Sequence, residues 1–175
     1  HLGAAAGEGL ARQEIFTGML VYDPLGVFIR GLLLFFLVLF TIFTKLSGIP
    51  DREDAADFYT LVLGATLGMC IMATANHMLT IFLGVEMASV PSYVLAGMLK
   101  GRRRSSEAAI KYAVYGAGAA GVMLYGISLL AGVLNSAHLP TMAAQLAALD
   151  VSAIMQGGDQ QGAGKLMVLA LGGLM

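Results

Sequence analysis

Glu86 is a carboxylate in the middle of a strongly apolar stretch, Met78 to Leu99. An ionisable side chain in such a setting is either a functional group or a costly form of interhelical glue. At helical spacing Ser89 and Tyr93 fall at i+3 and i+7 from it, on one face, and Pro91 has no N–H for the carbonyl of Met87, which leaves that acceptor free. Together these residues form a polar seam able to hold a proton and pass it on. Lys111 is the second candidate, with Glu107 four residues before it in the orientation that favours an ion pair on a helix. In low dielectric an acid and a lysine shift each other's protonation, so Glu86 and Lys111 could act together as a charge switch. Their depths differ by about 10 Å on helix rise, and water would have to bridge them. Plainer readings stay open: a protonated Glu86 bonded to a neighbouring helix, and a Lys111 that snorkels or simply pairs with Glu107.

These side chains need helices in a membrane to position them. Of 175 residues 58% are hydrophobic and 12% charged, and the mean hydropathy is +0.80, far above what a water-facing surface allows. No Lys, Arg, Asp or Glu occurs from Phe58 to Val85, a run more than long enough to cross a hydrocarbon core of about 30 Å. Gly31 to Thr44 reaches spanning length with Pro24 to Arg30 added. The chain reads as all-α, a polytopic transmembrane helix bundle. A segment 1–22 on the periplasmic side precedes four transmembrane helices at about 23–45, 58–76, 78–99 and 106–134. A loop with a short interfacial helix follows over 135–163, and a fifth helix starts at 164–175. Asp23-Pro24 is a helix start, Asp57 is expected to cap the second helix, and Ser105-Ser106-Glu107 to open the fourth. Asn76-His77 is the turn of a tight antiparallel hairpin. Pro140 to Asp150 places Met142, Leu146 and Leu149 on one face. A chain that starts at His1 and stops at Met175 inside an apolar run is expected to be a fragment, and no cleavable signal peptide is visible.

Basic residues set the orientation. Lys45, Arg52, Lys100, Arg102, Arg103 and Arg104 lie in the loops 45–57 and 100–106, on one side, against Arg12 and Lys165 on the other. The positive-inside rule makes the first side cytoplasmic. This accounts for KGRRR without a nucleic-acid or anionic-lipid patch. Cys70 is the only cysteine, and the eleven Met residues are scattered as packing residues. No spacing of His, Cys, Asp or Glu makes a metal site, and the glycines of YGAGAAG interrupt a helix instead of following a strand. Arg30 is expected to snorkel, and His77 and His138 to sit in interfacial turns. Gly64 and Gly68, and Gly116, Gly118, Gly121 and Gly126, mark faces where backbones can approach closely.

FLGVEMAS-x-PSYVLAG and SSEAAIKY, a membrane acid, a basic loop and a helix-opening Ser-Glu-x-x-x-Lys, resemble the antiporter-like subunit N family of proton-translocating NADH-quinone oxidoreductases, the respiratory complex I enzymes. The likeness covers about Asp23 to Leu134 well. It implies a fragment of a fourteen-helix antiporter-like fold with two inverted five-helix repeats, this chain supplying the third helix through the start of the seventh. It also implies that Glu86 belongs to a buried proton-transfer chain with Lys111 near it, and that the principal lysine of the broken seventh helix would come just after Met175. The implied function is proton translocation coupled to quinone reduction, as one subunit of a translocase in the bacterial inner membrane. NADH, flavin, iron-sulfur clusters and quinone would be handled elsewhere in the complex, leaving no cofactor in this chain, and the partners would be other membrane subunits and the lipid bilayer. A sodium/proton antiporter or membrane-bound hydrogenase subunit of the same fold is the first alternative, and a non-conducting structural subunit the second.

Overall fold

A computed structural model of the chain describes residues 12–48, 54–99, 102–148, 164, 168 and 172–173. The expected loop residues Arg52, Lys100 and Gly101, the link GGDQQGAG up to Gly162, Leu149 and Lys165 lie outside the described residues. Among the described residues, four helices long and apolar enough to cross a membrane run in sequence: α1 (Pro24–Ser47), α2 (Ala55–Met72), α3 (Met78–Ala96) and α4 (Arg103–Leu134). A short α5 (Leu139–Ala147) follows, and a two-stranded antiparallel hairpin, β1 (Gln13–Ile15) and β2 (Leu20–Tyr22), precedes them.

Local chemistry explains most of the helix ends. Asp23 caps α1, its Oδ1 accepting from Gly26 N at 2.7 Å, with Pro24 where a missing N–H costs nothing. Gly48, at φ 63°, ends that helix in the left-handed conformation that a residue with a Cβ enters only at a cost. The second helix begins earlier than the cap expected at Asp57. Ala55 and Ala56 extend it to an N-cap at Asp54, and Asp57 lies in the first turn, where the helix dipole favours an acid without a capping bond. Likewise α4 opens at Arg103, not at the Ser105-Ser106 pair. Ser105 turns its hydroxyl to the carbonyl of Ala96 at 2.8 Å and ties the start of α4 to the end of α3.

α1 packs on α2, α2 on α3 and α3 on α4, each helix against its neighbour in sequence. The closest approach is at α2 and α3. A Cβ on Gly68 would come within 2.7 Å of Ala88 N and 2.9 Å of Gly84 O, and one on Gly84 within 2.9 Å of the Met72 side chain. Backbone against backbone is what small residues permit in lipid. Gly64, on the same helix, has only Pro91 at 4.0 Å. Gly172 lies against α4, where a Cβ on it would come 3.0 Å from the carbonyl of Gly126.

The hairpin-side end of the bundle is tied by a polar cluster that the residue pattern did not announce. Asn76, 2% exposed, lies in the α2–α3 linker, and its backbone runs between the hairpin and the stretch before α5: Asn76 N donates to Met19 O, and Leu139 N donates to Asn76 O. Its side chain accepts from Arg12 at 3.1 Å and donates to Glu14 Oε1 and to Gly18 O. His138 Nε2 sits 2.9 Å from the Asn76 amide and 3.3 Å from Glu14, with Thr141 at its Nδ1. His77 caps α3 and His138 bridges to it, so both histidines hold this end together. Met142 and Leu134 form a small apolar core beneath, whereas Leu146 of α5 is 45% exposed.

Two stability tests follow from these contacts. Gly68→Ala should destabilise the detergent-solubilised protein by about 1–3 kcal/mol through overpacking, with Gly64→Ala close to neutral, in a thermal unfolding assay. Equal effects would show that the helices are not held at Gly68. Asn76→Ala, which leaves buried partners unsatisfied, should cost about 2–4 kcal/mol and expose the 13–22 hairpin to protease, while Asn76→Asp should be intermediate.

Candidate functional site

α3 has two faces with different duties. Gly84, Ala88 and Pro91 meet α2, whereas Ser92, Tyr93, Ala96 and Gly97 meet α4. Glu86 is two residues from both Gly84 and Ala88, on the far side of the helix from α2. It shares its face with Ser89 and Tyr93 and is about 12 Å from the helix start and about 15 Å from its end on helix rise. The carboxylate is half-buried. Among the described residues it makes no hydrogen bond or ion pair.

Hydroxyl groups occur on α3 between Glu86 and the α3–α4 loop. Ser89 donates to the carbonyl of Val85 at 2.7 Å, within its own helix, and not to Glu86. Ser92 Oγ lies 2.5 Å from the Ser89 carbonyl and 3.2 Å from the Tyr112 hydroxyl. Tyr93 packs edge-on against Tyr112, with centroids 4.7 Å apart, and its ring covers Gly116, where a side chain would collide with it. The absent side chain at Gly116 is what lets a tyrosine lie between the helices. Ser92 and Tyr112 were not among the candidate residues. Ser92 stands six residues from Glu86 and off its i+3, i+7 face, so helical spacing alone gave no signal for it.

Lys111 is placed apart from this seam. α4 meets α3 along Ser105, Ala109, Tyr112 and Gly116, and Glu107 and Lys111 fall on the opposite side of the helix. Lys111 Nζ donates to Glu107 Oε1 at 2.5 Å, with side chains 64% and 56% exposed. Tyr112 is level with Tyr93 and Ala109 with Gly97, so Lys111 is about 10–17 Å along the axis from Glu86. The structure therefore brings Ser89 and Tyr93 to the face of Glu86, joins Lys111 to Glu107, and does not join the two groups to each other. Among the described residues no group of three or more His, Cys, Asp or Glu could hold a metal ion.

The transmembrane family described as NADH:quinone oxidoreductase/Mrp antiporter matches residues 75–175. The chain belongs to this family. The matched region takes in Glu86, the seam above it and the Glu107–Lys111 pair. Relatives include NADH-quinone oxidoreductase subunit N 2 of Chloroherpeton thalassium, 37% identical over 130 residues, which are 73% of this chain and 25% of that protein. Subunit N 2 of Symbiobacterium thermophilum is 40% identical over 146 residues, 83% of this chain and 28% of the relative. That of Sorangium cellulosum is 40% identical over 144 residues, 79% and 28% respectively. The chain thus spans about a quarter of the length of these relatives. It is a multi-pass, antiporter-like transmembrane segment homologous to complex I subunit N.

Proposed function

We propose that this chain is part of a membrane subunit of an NADH-quinone oxidoreductase and takes part in proton translocation coupled to quinone reduction. The observation that carries the reading is the carboxylate of Glu86, without a partner among the described residues, at the middle of a membrane-spanning helix in a chain of the antiporter-like family. Glu86 is the proton-transfer group, Ser89 and Tyr93 polarise its face, and Lys111 couples to it when the pair with Glu107 opens. NADH, flavin, iron-sulfur clusters and quinone are handled elsewhere in the complex, and the partners of this chain are the other membrane subunits and the lipid bilayer. The setting is a bacterial inner membrane, with the loops 45–57 and 100–106 on the cytoplasmic side. A carboxylate serving as interhelical glue would bond across to another helix, and among the described residues Glu86 does not. The family description names the Mrp antiporter as well, which keeps a sodium/proton antiporter subunit as the second reading.

The test of the charge switch is made in the full-length subunit assembled in its complex. Glu86→Gln keeps size and hydrogen-bonding capacity but holds the group neutral, so proton uptake by membrane vesicles during NADH oxidation should fall by about tenfold or more with assembly intact. Glu86→Asp should retain part of the activity. Lys111→Ala should lower pumping moderately and Lys111→Arg less. Normal pumping in the Gln variant, with an Ala variant failing only in assembly, would make Glu86 structural. Sodium-dependent transport that persists without NADH would favour the antiporter.

Orientation is tested separately. Cysteines at Arg102 and Ser136 should react with an impermeant maleimide from opposite sides of the membrane, Arg102→Cys from the cytoplasmic side. Labelling of both from one side would overturn the topology.

A further inference from the structure

The α1–α2 seam holds a feature that proton transfer does not use. Between the two helices lies an apolar groove of about 220 Å³, lined by Leu33, Phe36, Leu37 and Phe40 of α1 and by Thr66 and Met69 of α2, among others. That is about seven times the volume a water molecule occupies in the liquid, and the lining offers water almost no partner. One turn before Leu33 stands Arg30. It lies on the same face of α1 as Gly26, which abuts Thr74, and as Leu37, seven residues on. Arg30 is half-buried, and its Nε is buried with no hydrogen-bond partner among the described residues. Asp23, the nearest acid on the helix, is engaged as the α1 cap.

The geometry points to a phospholipid site on this seam, with the lipid phosphate at Arg30 and one acyl chain in the groove. Three features fix the occupant. A guanidinium matches a phosphate in charge and in the spread of its donors. A helical side chain leans towards its helix N-terminus, so Arg30 reaches towards the headgroups of the leaflet on the hairpin side. The groove then continues from Leu33 to Phe40, deeper along the same face, which is the direction in which the tail of a lipid from that leaflet must run. A peptide helix would fit this pattern only with an acidic side chain of its own level with Arg30, which a phospholipid headgroup does not need. The site stands independently of the role proposed for Glu86.

The test uses the full-length subunit in its complex, reconstituted in nanodiscs of phosphatidylethanolamine and phosphatidylglycerol, the latter carrying a diazirine in its acyl chain. After illumination, cross-links should concentrate on peptides covering 33–40 and 62–69. Arg30→Gln should lower that cross-linking by about tenfold, the loss of a charge-assisted hydrogen bond, and Arg30→Lys by less. Ala65→Phe, which fills the groove and leaves Arg30 in place, should abolish cross-linking within it while assembly is retained. Cross-links spread evenly over lipid-facing positions such as Phe28 and Phe35, or unchanged in Arg30→Gln, would overturn the site. So would protection of the 33–40 peptide by a helix of another segment.

Discussion

Two helices in hydrocarbon gain little by covering each other's leucines, because lipid covers them equally well. What holds such a pair is close packing of backbones and the satisfaction of polar groups, and in this chain both fall on α3. Gly68 and Gly84 bring α2 and α3 into contact with no side chain between them. That contact fixes the rotation of α3 about its own axis. With Gly84 and Ala88 committed to α2, Glu86 must face away from α2 and share its face with Tyr93, whose ring is seated on Gly116. The placement of the membrane carboxylate follows from two glycine contacts, one on either side of the helix that carries it.

Asn76 applies the same principle where the helices emerge. The chain reverses between α2 and α3 in a few residues, leaving backbone N–H and C=O groups that no helix pairs. The hairpin supplies one set of partners and the segment before α5 the other, and the Asn76 side chain closes the arrangement by contacting Arg12, Glu14, Gly18 and His138. One buried amide thus links parts of the chain more than sixty residues apart. The histidines at 77 and 138 act here as a cap and a cross-bridge.

Apolar run lengths and the Asp23-Pro24 signal made the spanning helices legible, because such signals are local and the hydrocarbon thickness is a ruler the sequence must meet. The hairpin was not legible. Its strands are three residues each and alternate too briefly to show a period of two, and the hairpin is held by the linker around Asn76, far off in sequence. The start of α2 moved to Asp54 because helix-forming alanines outran a plausible cap at Asp57. The pairing of Lys111 with Glu107 could be expected from i, i+4 spacing, but its direction could not. Which side of α4 meets α3 depends on where Tyr93 finds a glycine, and that is a property of two helices together.

That direction bears on how a charge switch could work. Paired with Glu107, Lys111 belongs to a neutral couple, and across the width of α4 and about 10–17 Å along the axis its field at Glu86 is that of a dipole, weaker than that of a single charge. A free lysine would act on Glu86 as a single charge, whose field falls off more slowly with distance than that of a dipole. Coupling between the two positions therefore requires the Glu107–Lys111 pair to open, or a further group to take Glu107. Both residues lie on the side of α4 turned away from α3, so the agent that opens the pair must approach from that side. Control of Glu86 would then come from whatever packs against the outer face of α4, while α2 and α3 hold the carboxylate in place.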